Sequence, residues 1–469
     1  MSEIWIGLSS GGVIIARAGE GALLVDRPAQ RRYREPIVHS GGAVDGVVLR
    51  PMPPLPADLA DRTGWYAGGG RRLLLTQIPE AYFGEPMILV EEGGAIGRAY
   101  PFDDGTLVTD DGELLHLTED GGVESAHGAL TRCYHEESVD FTAGDTQLSA
   151  TVILPQPVAD GPFPAAVIVH GAAGGQRDFC RLQAGPLLDA GLAVLIYDKP
   201  GHGRSGGTQP SIFDQGAAVE AAFDKLRSHP GIDAARVGLA GLSNGMWAVP
   251  MVAARRGEVA FVAGLGSPGV SMAESEVHRR TKILREAGAG PATLAAVAEA
   301  WRCIFATVAN GQSTVVTERL GRALDVVAAA TDLTGYETPE YVRQNPMLSP
   351  IPPQMTVDEL VAMTGGEREP ELAYEPALDY ARVRCPVLLQ YGADDTSVPV
   401  PESVAAIEQA VTDPGQLSVR IYPGLEHMLN IVPTLAGLGA EEAMYQFHEF
   451  RFGPTVWTDL IAWLRATLA

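Results

Sequence analysis

Long hydrophobic runs, paired cysteines and positive charge are all scarce in this sequence of 469 residues. No apolar stretch approaches the roughly 18–20 residues needed to cross a bilayer. The opening Met-Ser-Glu-Ile-Trp-Ile-Gly has neither the basic nor the apolar region of a secretory leader. A cytoplasmic location and no membrane partner are therefore expected. The four cysteines (Cys133, Cys180, Cys303, Cys385) form no CxxC pair and no zinc spacing, which excludes a disulfide framework and a zinc module. They are expected to be reduced and mostly buried. Lysine occurs only at Lys199, Lys225 and Lys282, and 34 basic side chains face 58 acidic ones, a formal net charge of −24. Nucleic acid needs a positive face, so it is not an expected partner either. No His/Asp/Glu cluster has metal-ligand spacing, and no glycine loop ends in Gly-Lys-Ser/Thr, so no metal or cofactor is implied.

Glycine is plentiful, with 54 residues, and its placement divides the chain. Over residues 1–135, turn signals recur at Gly11-Gly12, Gly41-Gly42, Gly93-Gly94, Asp104-Gly105, Asp111-Gly112 and Gly121-Gly122. Short apolar runs such as Val13-Ile-Ile-Ala, Leu73-Leu-Leu-Thr and Met87-Ile-Leu-Val lie between them. Short strands joined by tight turns predict an antiparallel β domain, a small sandwich or barrel, with the proline-rich Leu49–Pro56 dividing it. No catalytic constellation lies here. The region is expected to pack on the rest of the chain, to roof its site or to mediate a homo-oligomer.

Residues 136–469 read differently. Val139-Asp-Phe and Gln147–Leu154 suggest an antiparallel pair. Buried-strand runs follow at Ala165–Val169, Gly191–Asp198, Arg236–Ala240, Pro386–Tyr391 and Leu417–Tyr422, separated by helical segments. Such alternation predicts an α/β fold with a mostly parallel sheet flanked by helices, whose ligands sit at the carboxyl ends of the strands. More than one hundred residues separate Pro268 from Pro386, too many for a loop. A helical insertion is expected over 270–380. Leu294, Val297, Trp301, Ile304, Phe305 and Val308 share one helical face, Thr338-Pro339 starts a helix, and Thr356-Val-Asp-Glu359 is a capping box. Trp301 and Phe305 are expected to pack helix against helix.

Gly-x-Ser-x-Gly occurs three times, around Ser9, Ser205 and Ser243. Ser9 lies between two strand-like pieces and reads as a hairpin turn, and Ser205 precedes Thr-Gln-Pro, where no helix can open. Only Gly241-Leu-Ser-Asn-Gly245 follows a buried strand and leads into a helix, Met246–Ala254. That is the setting of a nucleophile elbow, with the hydroxyl held out at a strand end and free helix N–H groups behind it.

With His170-Gly-Ala-Ala-Gly-Gly175, Tyr197-Asp-Lys-Pro-Gly-His-Gly-Arg-Ser205, Gly392-Ala-Asp-Asp-Thr-Ser-Val-Pro399 and Pro423-Gly-Leu-Glu-His427, the chain resembles the α/β-hydrolase superfamily over residues 136–469. Within it, these motifs are similar to bacterial esterases related to serine aminopeptidases. The resemblance places the insertion 270–380 as a cap. It also shows two departures: Asn244 where a small polar residue or Gln is frequent, and Met246 where a second glycine is usual.

A serine hydroxyl needs a base, and His427 on the loop after the last strand is the candidate. His448, the other histidine after the acid, lies in a helix-like run. His170 resembles the family's bracing histidine of the oxyanion loop, and His202 is expected to be structural. Asp394 and Asp395 compete for the acid, and the spacing Gly-x-x-Asp-x-x-Val-Pro selects Asp395. The oxyanion hole is expected from the backbone N–H groups of Asn244 and Ala172. The expected function is a serine hydrolase, a carboxylesterase acting on a small-molecule ester. Peptidase or amidase, thioesterase, lactonase and acyltransferase share the same triad, and a non-catalytic binding protein is the remaining class.

Overall fold

The computed structural model describes residues 4–18, 23–27, 32–37, 43–78, 87–103, 105–172, 175–286, 289–310, 370–431 and 450–469. The strand ladder that carries the site has eight members: β1 (His135–Ala143), β2 (Thr146–Leu154), β3 (Phe163–Val169), β4 (Ala193–Tyr197), β5 (Ile232–Leu242), β6 (Val262–Leu265), β7 (Val387–Gly392) and β8 (Leu417–Tyr422). Their order is β1-β2-β4-β3-β5-β6-β7-β8. The first two are an antiparallel hairpin, β2 runs antiparallel to β4, and β3 to β8 are parallel.

Continuous apolar runs form these strands because both faces are covered. Alternate residues serve opposite cores: Ala165, Val167 and Val169 point into one, Ala166 and Ile168 into the other. The first core is closed by α2 (Ile212–Arg227) and α3 (Gly245–Arg255), with α6 (Val400–Ala410) alongside, and the second by α1 (Arg181–Asp189) and α7 (Val456–Leu468). Period-2 burial on both faces is the physical reason a run such as Ala-Ala-Val-Ile-Val is a central strand. β6 is not anticipated in the sequence: four residues that include Gly264 and precede Gly266 carry too little pattern.

Two further helices, α4 (Met272–Glu286) and α5 (Pro291–Asn310), begin the insertion after β6. Val297, Trp301, Ile304 and Phe305 of α5 are buried against Val277, Ile212 and Trp247. Trp301 and Phe305 stack at 5.4 Å, and the Arg280 guanidinium lies 4.3 Å over Trp301. Both aromatic rings pack helix to helix, as expected. Thr338-Pro339, the box at Thr356–Glu359 and His448 lie outside the described residues.

Among the described residues, the N-terminal part is antiparallel β structure in two larger sheets and one two-stranded pair, Ala43–Val44 with Val47–Val48. Ile4–Ser9 and Gly12–Ala18 form a hairpin around Ser10-Gly11, so the first Gly-x-Ser-x-Gly is a turn. The proline-rich stretch then leads to eight strands from Gly64 to Arg132, each paired with its successor, and the last returns to the first at Thr131↔Ala67 and Arg132↔Tyr66. A closed ring of pairings is a barrel. Gly93-Gly94, at φ 60° and 84°, supply the two left-handed positions of one hairpin turn.

The run Leu73-Leu74-Leu75 breaks strand alternation for a physical reason. Leu73 and Leu75 fill the barrel with Tyr66, Ile88, Val90 and Leu107, while Leu74 points outward with Trp65, Leu89 and Ile96 onto α1 and α7. A Cβ at Gly185 would lie 2.8 Å from the Trp65 ring. Arg72 makes a bidentate pair with Asp189, with Nη2 to Oδ2 at 2.7 Å. The ladder also crosses between the two parts: Phe450–Phe452 pairs with Ala95–Ile96 on one side and with Asn430–Ile431 on the other. Trp65→Ala is expected to lower the unfolding free energy by about 3–5 kcal/mol, read from urea denaturation. Arg72→Met, which removes a partly exposed pair, is expected to cost about 1 kcal/mol or less.

Candidate active site

Ser243 is the first residue past β5 and stands at φ +50°, in the left-handed region. Its N–H donates to Leu265 O at 2.9 Å, and its carbonyl accepts from Met246 N at 2.8 Å. The helix that follows starts at once, so the turn is tight and its neighbours are small by necessity. A Cβ on Gly245 would come within 2.5 Å of Val169 O and 2.6 Å of His170 O. Met246, where the resemblance leads one to expect glycine, is fully buried, with Sδ 2.5 Å from a Cβ built on Gly241 and Cε 2.6 Å from one on Gly264. Two glycines on the facing strands thus take up the bulk that the methionine adds.

The three candidate side chains meet. His427 Nε2 is 2.8 Å from Ser243 Oγ, and His427 Nδ1 is 2.8 Å from Asp395 Oδ2. Asp395 is the buried member of its pair and Asp394 the exposed one. The second carboxylate oxygen, Oδ1, accepts from Ser397 N and Val398 N, each at 2.8 Å. Burial works to lower the basicity of His427, but the charge and hydrogen bond of Asp395, with Glu426 beyond, outweigh it and leave the imidazole above its ordinary value.

Glu426 binds the two loops together. Its Oε2 accepts from Thr396 N and Thr396 Oγ1, both at 3.2 Å, and from His427 N at 3.3 Å. Burial raises its carboxyl. The end of β7 must be glycine, because a Cβ on Gly392 would sit 2.2 Å from Leu425 O and 2.4 Å from Glu426 O. From the insertion, Lys282 Nζ on α4 donates to Asp394 O at 2.5 Å and Asp395 O at 3.2 Å. Neither Glu426 nor Lys282 stands out in the sequence, since Glu426 acts on a loop 30 residues away and Lys282 acts on backbone carbonyls 112 and 113 residues away.

The residues expected to supply the oxyanion hole lie at the elbow and on the loop beside it. Asn244 precedes α3 in helical backbone, at φ −52° and ψ −33°. The loop after β3 brings Gly171 against the elbow, where a Cβ would lie 3.5 Å from Ser243 Cβ. Among the described residues, neither Asn244 N–H nor Ala172 N–H donates to a protein acceptor. Ala173 and Gly174 lie outside the described residues. His170 is no base for Ser243: its Nε2 meets Tyr197 O, and its Nδ1 lies 3.3 Å from Cys180 Sγ. Ser205 is structural too, donating to Asp198 O at 2.7 Å and accepting from Ser149 N at 2.9 Å. His202 Nδ1 lies 3.0 Å from Pro200 O.

Among the described residues, no His/Cys/Asp/Glu group could hold a metal ion, and no helix is long and apolar enough to cross a membrane. No curated protein matches the chain. Solved structures do, at low identity. One is a 2,6-dihydroxy-pseudo-oxynicotine hydrolase, 15% identical over 72% of this chain and 68% of its own, with a TM-score of 0.39. An esterase of Pyrococcus furiosus is 16% identical over 63% and 84%, also at 0.39. The proline iminopeptidase of Mycobacterium smegmatis is 17% identical over 71% and 100%, again at 0.39. The family model described as the alpha/beta hydrolase family matches residues 166–435, more than half of the sequence. The chain is a hydrolase and belongs to the alpha/beta hydrolase family.

Proposed function

We propose that the protein is a serine hydrolase that cleaves a carboxylic ester of a small molecule through an acyl-enzyme on Ser243. The observation that carries this reading is the hydrogen-bonded relay Ser243–His427–Asp395, with both links at 2.8 Å. His427 Nε2 takes the hydroxyl proton as Ser243 Oγ bonds to the ester carbonyl carbon. The carbonyl oxygen becomes an anion facing Asn244 N–H and Ala172 N–H. The same imidazole then gives the proton to the departing alcohol oxygen. A water molecule, deprotonated by His427, attacks the acyl carbon and returns Ser243 with release of the acid. Asp395 keeps the proton of His427 on Nδ1 and stabilises the imidazolium without itself being protonated.

Ser243→Ala is expected to reduce ester turnover on the order of 10⁶-fold with the fold retained. Intact-protein mass after treatment with a fluorophosphonate checks the assignment: one adduct mapping to Ser243 supports it, and its persistence in Ser243→Ala sinks it. Catalysis needs neutral imidazole, and His427 is held above the ordinary value near 6.5. The acid limb of kcat/KM should therefore lie above that value, with activity lost as pH falls through it. Asp395→Asn removes the charge and weakens the hydrogen bond that are the two larger of the three interactions raising His427, so the limb should move to lower pH while kcat drops on the order of 10⁴-fold. Asp394→Asn should leave both unchanged; the opposite ranking would exchange the two aspartates.

A further inference from the structure

Lys199 is buried, 1% exposed, and among the described residues it forms no ion pair. The neighbouring carboxylate is already occupied: Asp198 accepts from Arg177 N at 2.8 Å and Arg204 N at 3.0 Å, and pairs with the Arg177 guanidinium at 3.2 Å. The ammonium instead donates to Gly171 O at 2.5 Å, and the Lys199 N–H donates to Gly175 O at 2.7 Å. One residue thus grips the loop after β3 at both ends. An uncompensated cation in an apolar interior is costly, so its placement on one carbonyl calls for a reason.

The peptide it holds supplies that reason. Gly171 O and Ala172 N–H belong to the same planar trans peptide, so they point to opposite sides. A donor fixed on the carbonyl therefore sets the direction of the N–H, and this loop lies against Ser243. The preceding peptide is held as well, since Gln215 Nε2 donates to His170 O at 3.2 Å. We propose that Lys199 is the positioning residue of the oxyanion loop: it holds the Gly171 carbonyl and so aims the Ala172 N–H at the anion formed when Ser243 attacks. The proposal rests on the serine-hydrolase reading above. A cation on the carbonyl also polarises the peptide and strengthens its N–H as a donor, an effect that grows as negative charge develops in the transition state.

The titratable group that bears directly on the Lys199 ammonium is Cys180, whose thiol in turn feels Asp178 and Asp198 and meets His170 Nδ1 at 3.3 Å, and the His202 N–H donates to Lys199 O at 3.0 Å. Burial pulls the ammonium down to about 8, with the nearby Cys180 opposing slightly. Its charge is therefore present below that value and lost as pH rises through it, which gives kcat a falling alkaline limb separate from the acid limb of His427.

The test compares the full-length wild type with Lys199→Gln, which keeps a donor without charge, and Lys199→Met, which keeps neither. The readouts are kcat and KM for a p-nitrophenyl ester from neutral to alkaline pH, the rate of fluorophosphonate addition to Ser243, and the melting temperature. Expected is a kcat lower by roughly 10- to 100-fold with KM little changed, a slower Ser243 adduct, and loss of the alkaline limb in folded variants. Folded variants that keep the wild-type kcat and limb overturn the proposal. So does a loss of activity that follows loss of folded protein while the limb persists. A wild type that takes no adduct on Ser243 and turns over no ester sinks the hydrolytic reading and this proposal together, whereas a labelled wild type with unaffected variants sinks this proposal alone.

Discussion

The turn at Ser243 is the constraint on which the rest of the site depends. A non-glycine residue in left-handed backbone costs about 1–2 kcal/mol, and Ser243 holds φ +50° there. The surroundings hold it: β6 accepts its N–H at Leu265 O, and the first turn of α3 takes its carbonyl. Because α3 must begin within one residue, Gly245 is pressed onto the last carbonyls of β3. The hydroxyl then has one direction left, toward the strand ends, where the loops after β7 and β8 arrive.

Electrostatics completes what the backbone starts. Asp395 is fully desolvated in its side chain, and burying an isolated carboxylate would be prohibitive. It is tolerated because two backbone N–H groups and one imidazole satisfy it. These bonds also fix its orientation, so Asp395 meets His427 in a direction that its own loop has set. Glu426 and Lys282 extend the same logic outward, one joining the acid and histidine loops, the other fastening the acid loop's carbonyls to the first helix of the insertion.

The sequence made the meeting of three candidate side chains more legible than its support. Ser243, Asp395 and His427 could be read because each sits in a short motif at a strand end, and runs such as Ala-Val-Ile-Val leave little choice of structure. β6 escaped because four residues with a glycine among them and another just after have no readable period. The barrel was legible as turns and short strands, but its closure was not: the return from Arg132 to Tyr66 is a pairing across the whole unit, and no local pattern encodes it. Lys199 was invisible for a different reason. A lysine beside Asp198 in a glycine-rich loop reads as solvated until its burial and its single carbonyl partner are known.

The histidine loop shows why such support cannot be dispensed with. His427 stands on a narrow turn in which Leu429 N donates to Glu426 O at 2.8 Å and Glu426 N to Asn430 O at 3.1 Å, with Leu429 itself at φ +57°. A strained turn of this size would not hold an imidazole within hydrogen-bond distance of a serine by itself. It is clamped because Gly453 N donates to Leu429 O at 2.9 Å and Asn430 pairs with Phe452, whose strand pairs in turn with Ala95 and Ile96 of the barrel. His427 is thus tied through one short ladder to the N-terminal part of the chain. An accessory sheet that looks separable by composition is, by its hydrogen bonds, part of the frame that holds the imidazole in line.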